Sequence, residues 1–196
     1  MRWPMTPPLT GRHVRLVPLA AEHGAALVRA ASDGELWKLW YTTVPGPETM
    51  GQVIAERLQL AEAGAWRPFT VLDADGVPVG MTNYLRIEAR HKRLEIGGTW
   101  YSARVQRSAL NTECKLLLLG HAFEMLDCIS VEFRTHRLNS QSRRAIERLG
   151  AQLDGILRAH ERATDGTIRD TAVYSVTAPE WPAVKTHLLW QLQRPR

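Results

Sequence analysis

Apolar and polar residues alternate over residues 13–19, the two-residue period of a half-buried strand, and over residues 20–31 the apolar positions shift to helical spacing. Residues 34–41 hold Trp37, Trp40 and Tyr41 in a helix or loop. Residues 47–65 read as an amphipathic helix with Val53, Ile54, Leu58 and Ala61 on one side. A strand is predicted at 69–73, and Asp75-Gly76 turns it into a second at 77–88, with a third antiparallel strand at 93–101. Residues 112–126 form a strongly apolar helix, with Asn111 and Thr112 as candidate caps. A strand at 130–137 and a helix at 139–149, stopped by Gly150, come next. A hairpin of 152–160 and 167–177 around Asp165-Gly166 and a helix at 179–192 close the chain. This mixed order excludes a simple doubly wound sheet and predicts an α+β fold.

No repeat, low-complexity tract or long linker interrupts the pattern, so the reading is one domain over residues 1–196, with residues 1–8 a flexible N-terminal segment. With 44% hydrophobic and 23% charged residues, the composition sets aside disordered and fibrous classes. No apolar run approaches the ~20 residues of a membrane span, and the first residues lack the apolar stretch of a secretory signal, which makes the cytoplasm the expected compartment. Cys114 and Cys128 fall on one predicted helical stretch, where a ~1.5 Å rise per residue puts them beyond disulfide reach, and their spacing suits no metal. The net charge of +5 rests on arginine far more than lysine. That balance suits an anionic ligand, and equally reflects coding bias.

Chemistry concentrates in one strand, loop and helix: Glu95-Ile96-Gly97-Gly98-Thr99-Trp100-Tyr101, then the loop to Leu110, then Asn111-Thr112-Glu113 opening the apolar helix. A loop feeding a helix N-terminus offers unpaired amides and the positive end of the helix dipole to phosphate, and Arg104, Arg107 and Lys115 would add charge beside it. The alternative is an ordinary connection with solvated arginines. His121, inside the apolar helix, reads as a hydrogen-bonded core histidine. His136 and His160 lie near strand ends as candidates to line an acceptor cleft, with neither singled out, and Tyr174 reads as a half-buried structural tyrosine.

These stretches together resemble the GNAT acetyltransferase superfamily, and within it the RimL-like group related to ribosomal-protein N-terminal acetyltransferases. Gly98-Thr99-Trp100, the run from Gln106 to Asn111, and Thr112-Glu113 match its strand-loop-helix motif. Asn139-Ser140-Gln141-Ser142 matches its later helix start, Arg148-Leu149-Gly150-Ala151 the helix end, and Arg169-Asp170, Tyr174-Ser175 and Glu180-Trp181 the closing segment. The resemblance implies a mostly antiparallel central sheet of about seven strands flanked by helices. It implies acetyl-CoA as cosubstrate and no metal. The pantetheine arm would pair with the strand end at Thr99, Trp100 and Tyr101. The pyrophosphate would meet the amides of Gln106, Arg107, Ser108, Ala109, Leu110, Asn111 and Thr112. Asn139 would bond the arm, Ser142 would sit near the sulfur, and Arg143 would reach the phosphates. A homodimer is a family-level expectation. Two features depart from the pattern: Ala109 and Asn111 stand where the loop has glycines, and Ile146 stands where many members carry a tyrosine that protonates the departing thiolate.

Acetyl transfer needs a neutral amine, a stabilised oxyanion and a proton for the thiolate. Glu95, which a bulge at Gly97-Gly98 would aim inward, is the candidate base, and Ser142 the candidate proton donor or sulfur partner. The acceptor is a primary amine, first a protein N-terminus and second a small molecule. A non-catalytic CoA-binding or interaction protein is the alternative from another class. Direct nucleic-acid binding lacks any motif, and no membrane partner is expected.

Overall fold

The computed structural model describes residues 4, 6–41, 43–163 and 165–194. Among them, the strands form one eight-stranded sheet in the order β1-β2-β3-β4-β5-β6-β8-β7. These are β1 (Leu9–Thr10), β2 (Val14–Pro18), β3 (Arg67–Asp73), β4 (Pro78–Glu88), β5 (Arg93–Tyr101), β6 (Ser130–His136), β7 (Gln152–Arg162) and β8 (Ile168–Thr177). The short edge strand β1 was not foreseen, since two residues carry no readable period. Every pairing is antiparallel except β5 with β6.

Strand alternation sorts side chains into two cores. On one face Leu16, Phe69, Val71, Tyr84, Leu94, Ile96, Phe133 and Tyr174 pack with α3 (Leu110–Gly120), Ile146 of α4 (Ser140–Glu147) and Trp181, Val184 and Leu188 of α5 (Trp181–Gln193). On the other, Met81 and Trp100 meet Leu27 of α1 (Gly24–Ser32) and Met50 and Ile54 of α2 (Met50–Glu62). No described helix is long and apolar enough to cross a membrane. Pro4 is buried and its carbonyl accepts from Arg67 Nε at 3.1 Å, while Met1, Arg2, Trp3 and Met5, half of the segment expected to be flexible, lie outside the described residues.

Helix ends differ from expectation in instructive ways. Neither Asn111 nor Thr112 caps α3: the cap residue is Ala109, and Ser108 Oγ accepts from Leu110 N at 3.2 Å. α3 continues as a π-helical turn over His121–Met125. Tyr84 reaches across from β4 and donates its hydroxyl to Leu118 O at 2.7 Å, inserting a side chain into the backbone ladder where the helix widens. His121 stacks on Tyr84 and is buried. Cys128 lies past this turn rather than on the helix with Cys114, and both thiols are free and buried. The turn that follows α4 closes at Gly150, whose φ of +97° is a left-handed value that glycine adopts without strain.

Candidate active site

β5 and β6 pair only at Arg93↔Ser130, Leu94↔Val131 and Glu95↔Glu132. Beyond that point residues 96–101 of β5 and 133–136 of β6 have no partner across, among the described residues. The cause lies in β5. Asn83 of β4 pairs with Gly97 but Met81 pairs with Trp100, so β5 holds one extra residue, and Gly98 takes φ +57°. A bulge of this kind raises the local twist and turns the strand away from its neighbour. Asn83 fixes it, donating Nδ2 to Gly97 O at 2.8 Å.

Glu95 stands at the foot of this V-shaped cleft, its side chain 7% exposed. Its Oε2 lies 3.0 Å from Arg86 Nε and 3.6 Å from Arg134 Nε. Burial raises its pKa to about 7, against the pull of Arg86 and Arg134 and with help from Glu132. Arg86 Nη2 also reaches Glu161 of β7 at 3.5 Å, so the β7–β8 hairpin bends back over this face of the sheet. At the far end of β6, the Trp40 ring meets Tyr41 at 5.6 Å and His136 at 5.3 Å, which brings the α1–α2 connection over the cleft. His136 Nδ1 accepts from Leu138 N at 3.0 Å, and burial, then Arg169, lowers its pKa, so the ring is a neutral donor through Nε2.

A family model described as an acetyltransferase (GNAT) domain matches residues 13–152. The chain belongs to the GNAT acetyltransferase family. A crystal structure described as an acetyltransferase superimposes with a TM-score of 0.86 at 36% identity, over 98% of this chain and 97% of that one. Two more distant structures share the fold. Mycobacterium smegmatis RimJ in complex with CoA-disulfide has 22% identity and a TM-score of 0.78, over 96% of this chain and 95% of that one. An acetyl transferase from Salmonella typhimurium that modifies the N-terminal serine of ribosomal protein L7/L12 has 17% identity and a TM-score of 0.75, over 85% of this chain and 96% of that one. No curated protein matches.

This GNAT enzyme is an N-acetyltransferase, and the family uses acetyl-CoA. Its own residues fit that cosubstrate. The open edge of β5 can pair with an extended amide-bearing arm. α3 begins beside it, and a helix leaves its first four amides without internal acceptors. Leu110 N is taken by Ser108, while the amides of Ala109, Asn111 and Thr112 have no acceptor among the described hydrogen bonds. Ala109 has φ −66°, so its Cβ is unstrained, and the positive φ of this loop falls on Arg107 instead. No group of His, Cys, Asp and Glu able to hold a metal occurs among the described residues.

The cations expected beside the phosphates are placed differently. Arg104 turns away to Asp73, its Nη2 2.6 Å from Oδ2. Lys115 points into the core, with Nζ 3.1 Å from Thr99 Oγ1 and 3.5 Å from Thr82 Oγ1. Arg143 packs on Tyr174, donating Nε to its hydroxyl at 2.8 Å, and Tyr174 donates in turn to Glu147. Trp100 is buried in the second core, Tyr101 is half-buried against the first, and Thr99 is half-buried with its hydroxyl on Lys115 and Thr82, while Gln106 Nε2 donates to Tyr101 O at 2.9 Å. Asn139 caps α4, its Oδ1 accepting from Ser142 N at 2.9 Å, which sets both residues at the open end of β6. Glu113 clasps the β1–β2 turn, accepting from Arg12 N at 2.9 Å and His13 N at 2.5 Å. Sequence reading missed Asn83, Arg86 and Arg134, whose parts depend on neighbouring strands.

Proposed function

We propose that this enzyme transfers the acetyl group of acetyl-CoA directly to the α-amine of a protein N-terminus, and that it belongs to the RimL-like group. The observation that carries the reading is Glu95: a carboxyl at the foot of the cleft with a pKa near 7. A free α-ammonium has a pKa of ~7.7–8.0 and a lysine ~10.4, so a base poised near 7 suits the former. Glu95 takes the amine's proton, the nitrogen forms its bond to the thioester carbonyl carbon, and the carbon–sulfur bond breaks. The thiolate then takes a proton through Ser142 or water, which is made good by the second proton the nitrogen sheds on acylation, since Ile146 has none to give. The distant Salmonella typhimurium enzyme, which modifies the N-terminal serine of ribosomal protein L7/L12, supports this choice of acceptor over small amines.

Thiol release from acetyl-CoA at pH 7 tests it, with one peptide bearing a free N-terminus and another whose N-terminus is blocked but which carries a lysine. The neutral fractions of the two amines differ on the order of 100-fold. The free N-terminus is expected to lead in kcat/KM by a comparable factor, and a lead for the lysine peptide overturns the assignment.

A further inference from the structure

Arg57 lies on α2 against the bulge and is 8% exposed. Its Nη1 donates to Asn83 Oδ1 at 3.4 Å and lies 3.6 Å from Met81 Sδ, and its guanidinium carbon sits 5.8 Å from the Trp66 ring centre. No carboxylate forms an ion pair with it among the described residues. A largely buried guanidinium whose polar partners are one amide oxygen and a thioether, with the Trp66 ring against it and the Glu56 charge favouring its ionised form, keeps donor capacity that fits a site completed by a ligand.

Its position says which part of a ligand. A Cβ built on Gly98 would stand 3.7 Å from Arg57 Nη2, and Gly98 is itself exposed, so Nη2 borders the open floor of the cleft. Neither Nη2 nor Nε has an acceptor among the described hydrogen bonds. A Cβ built on the adjacent Gly97 would stand 2.6 Å from Glu95 Oε1. Asn83 pairs with Gly97 and contacts the Gly98 position as well, which places Glu95, Asn83 and Arg57 on one face of the sheet. Base and guanidinium therefore flank neighbouring residues, whose Cα atoms are ~3.8 Å apart. An α-amino acyl group carries its nitrogen and its carbonyl oxygen on adjacent carbons, so an acceptor lying along Gly97 and Gly98 with its amine at Glu95 turns that oxygen toward the Arg57 side of the floor.

We propose that Arg57 is a specificity-determining residue whose Nη2 donates to the oxygen on the carbon next to the acceptor's amine-bearing carbon, so that the enzyme selects α-amino acyl groups over simple amines. The oxygen belongs either to a terminal peptide carbonyl or to the carboxylate of a free α-amino acid. The inference rests on acetyl transfer at Glu95.

The test is kcat/KM of the full-length enzyme and of Arg57→Gln toward an alanyl peptide, free alanine and ethylamine. A charge-assisted hydrogen bond corresponds to roughly a 10–100-fold preference. Arg57→Gln is expected to lower the peptide-to-ethylamine ratio by about that factor, and the change in ratio is independent of each acceptor's own basicity. A larger fall for free alanine than for the peptide identifies the carboxylate as the oxygen read, and the reverse identifies the peptide carbonyl. A ratio unchanged within about threefold overturns the proposal even if all rates drop, because Arg57 then only braces Asn83 and the bulge. Should Arg57→Gln fail to fold, Arg57→Lys, which keeps the charge and loses the fork, reads the same ratio. Wild-type enzyme that acetylates no amine at all overturns acetyl transfer itself, and this inference with it.

Discussion

Replacing Glu95 by Gln keeps the side chain's shape and removes its titration, and the structure fixes the sign of the effect on stability. The carboxyl has an ordinary pKa of 4.5 when solvated and about 7 in the fold. The protonated acid is therefore what the folded protein prefers. Its contribution is fully present below pH 4.5 and is lost as pH rises through about 7. A shift of this size corresponds to about 3 kcal/mol, of which about 2–3 kcal/mol falls between pH 5 and pH 8. Urea denaturation of wild type and Glu95→Gln at matched pH values isolates it, because other titrating groups cancel in the difference. Wild type is expected to lose that stability relative to the variant as pH rises. Curves that stay parallel refute the reasoning. A relative gain by wild type refutes it more sharply, since the 3.0 Å contact to Arg86 would then outweigh burial and hold the carboxylate ionised.

Two further substitutions probe the frame around it. Gly98→Ala puts a side chain at φ +57° and 2.6 Å from Asn83 Nδ2, so it should cost about 1–2 kcal/mol in urea denaturation and slow acetyl transfer; a neutral result would mean the bulge relaxes freely. Lys115→Met should stabilise the protein by about 1–3 kcal/mol at neutral pH, because burial lowers the lysine's pKa with only threonine hydroxyls as partners. That gain should shrink as pH rises toward the unfolded value of 10.5, as the lysine becomes neutral in both states, and a loss of stability on substitution would contradict it.

Glu95 and its bulge were legible because two consecutive glycines in an otherwise β-branched and aromatic strand announce a backbone irregularity, and the carboxylate two residues earlier then shares its face. Arg57 was not. The apolar residues chosen for its helix were Val53, Ile54, Leu58 and Ala61, whereas the buried stripe runs through Met50, Ile54 and Arg57, a spacing of four and then three that the sequence does contain. An arginine at the third position gives no sequence signal of burial, because burial of a charge is set by tertiary contacts and not by local pattern. The same gap explains Arg104 and Lys115. Proximity in sequence to the α3 N-terminus suggested phosphate contacts, but Asp73 on another strand captures the first, and side-chain direction along the helix carries the second into the core.

The most direct test of the account is the pH dependence of kcat/KM for acetylation of an N-terminal peptide by wild type and Glu95→Gln. Wild type should show a rising limb with an apparent pKa near 7, from the base, ahead of the acceptor's own limb at ~7.7–8.0. In Glu95→Gln only the acceptor's limb should remain, with kcat/KM on the plateau lowered by ~10²–10⁴. A variant that keeps both the lower limb and the wild-type rate would contradict Glu95 as the base.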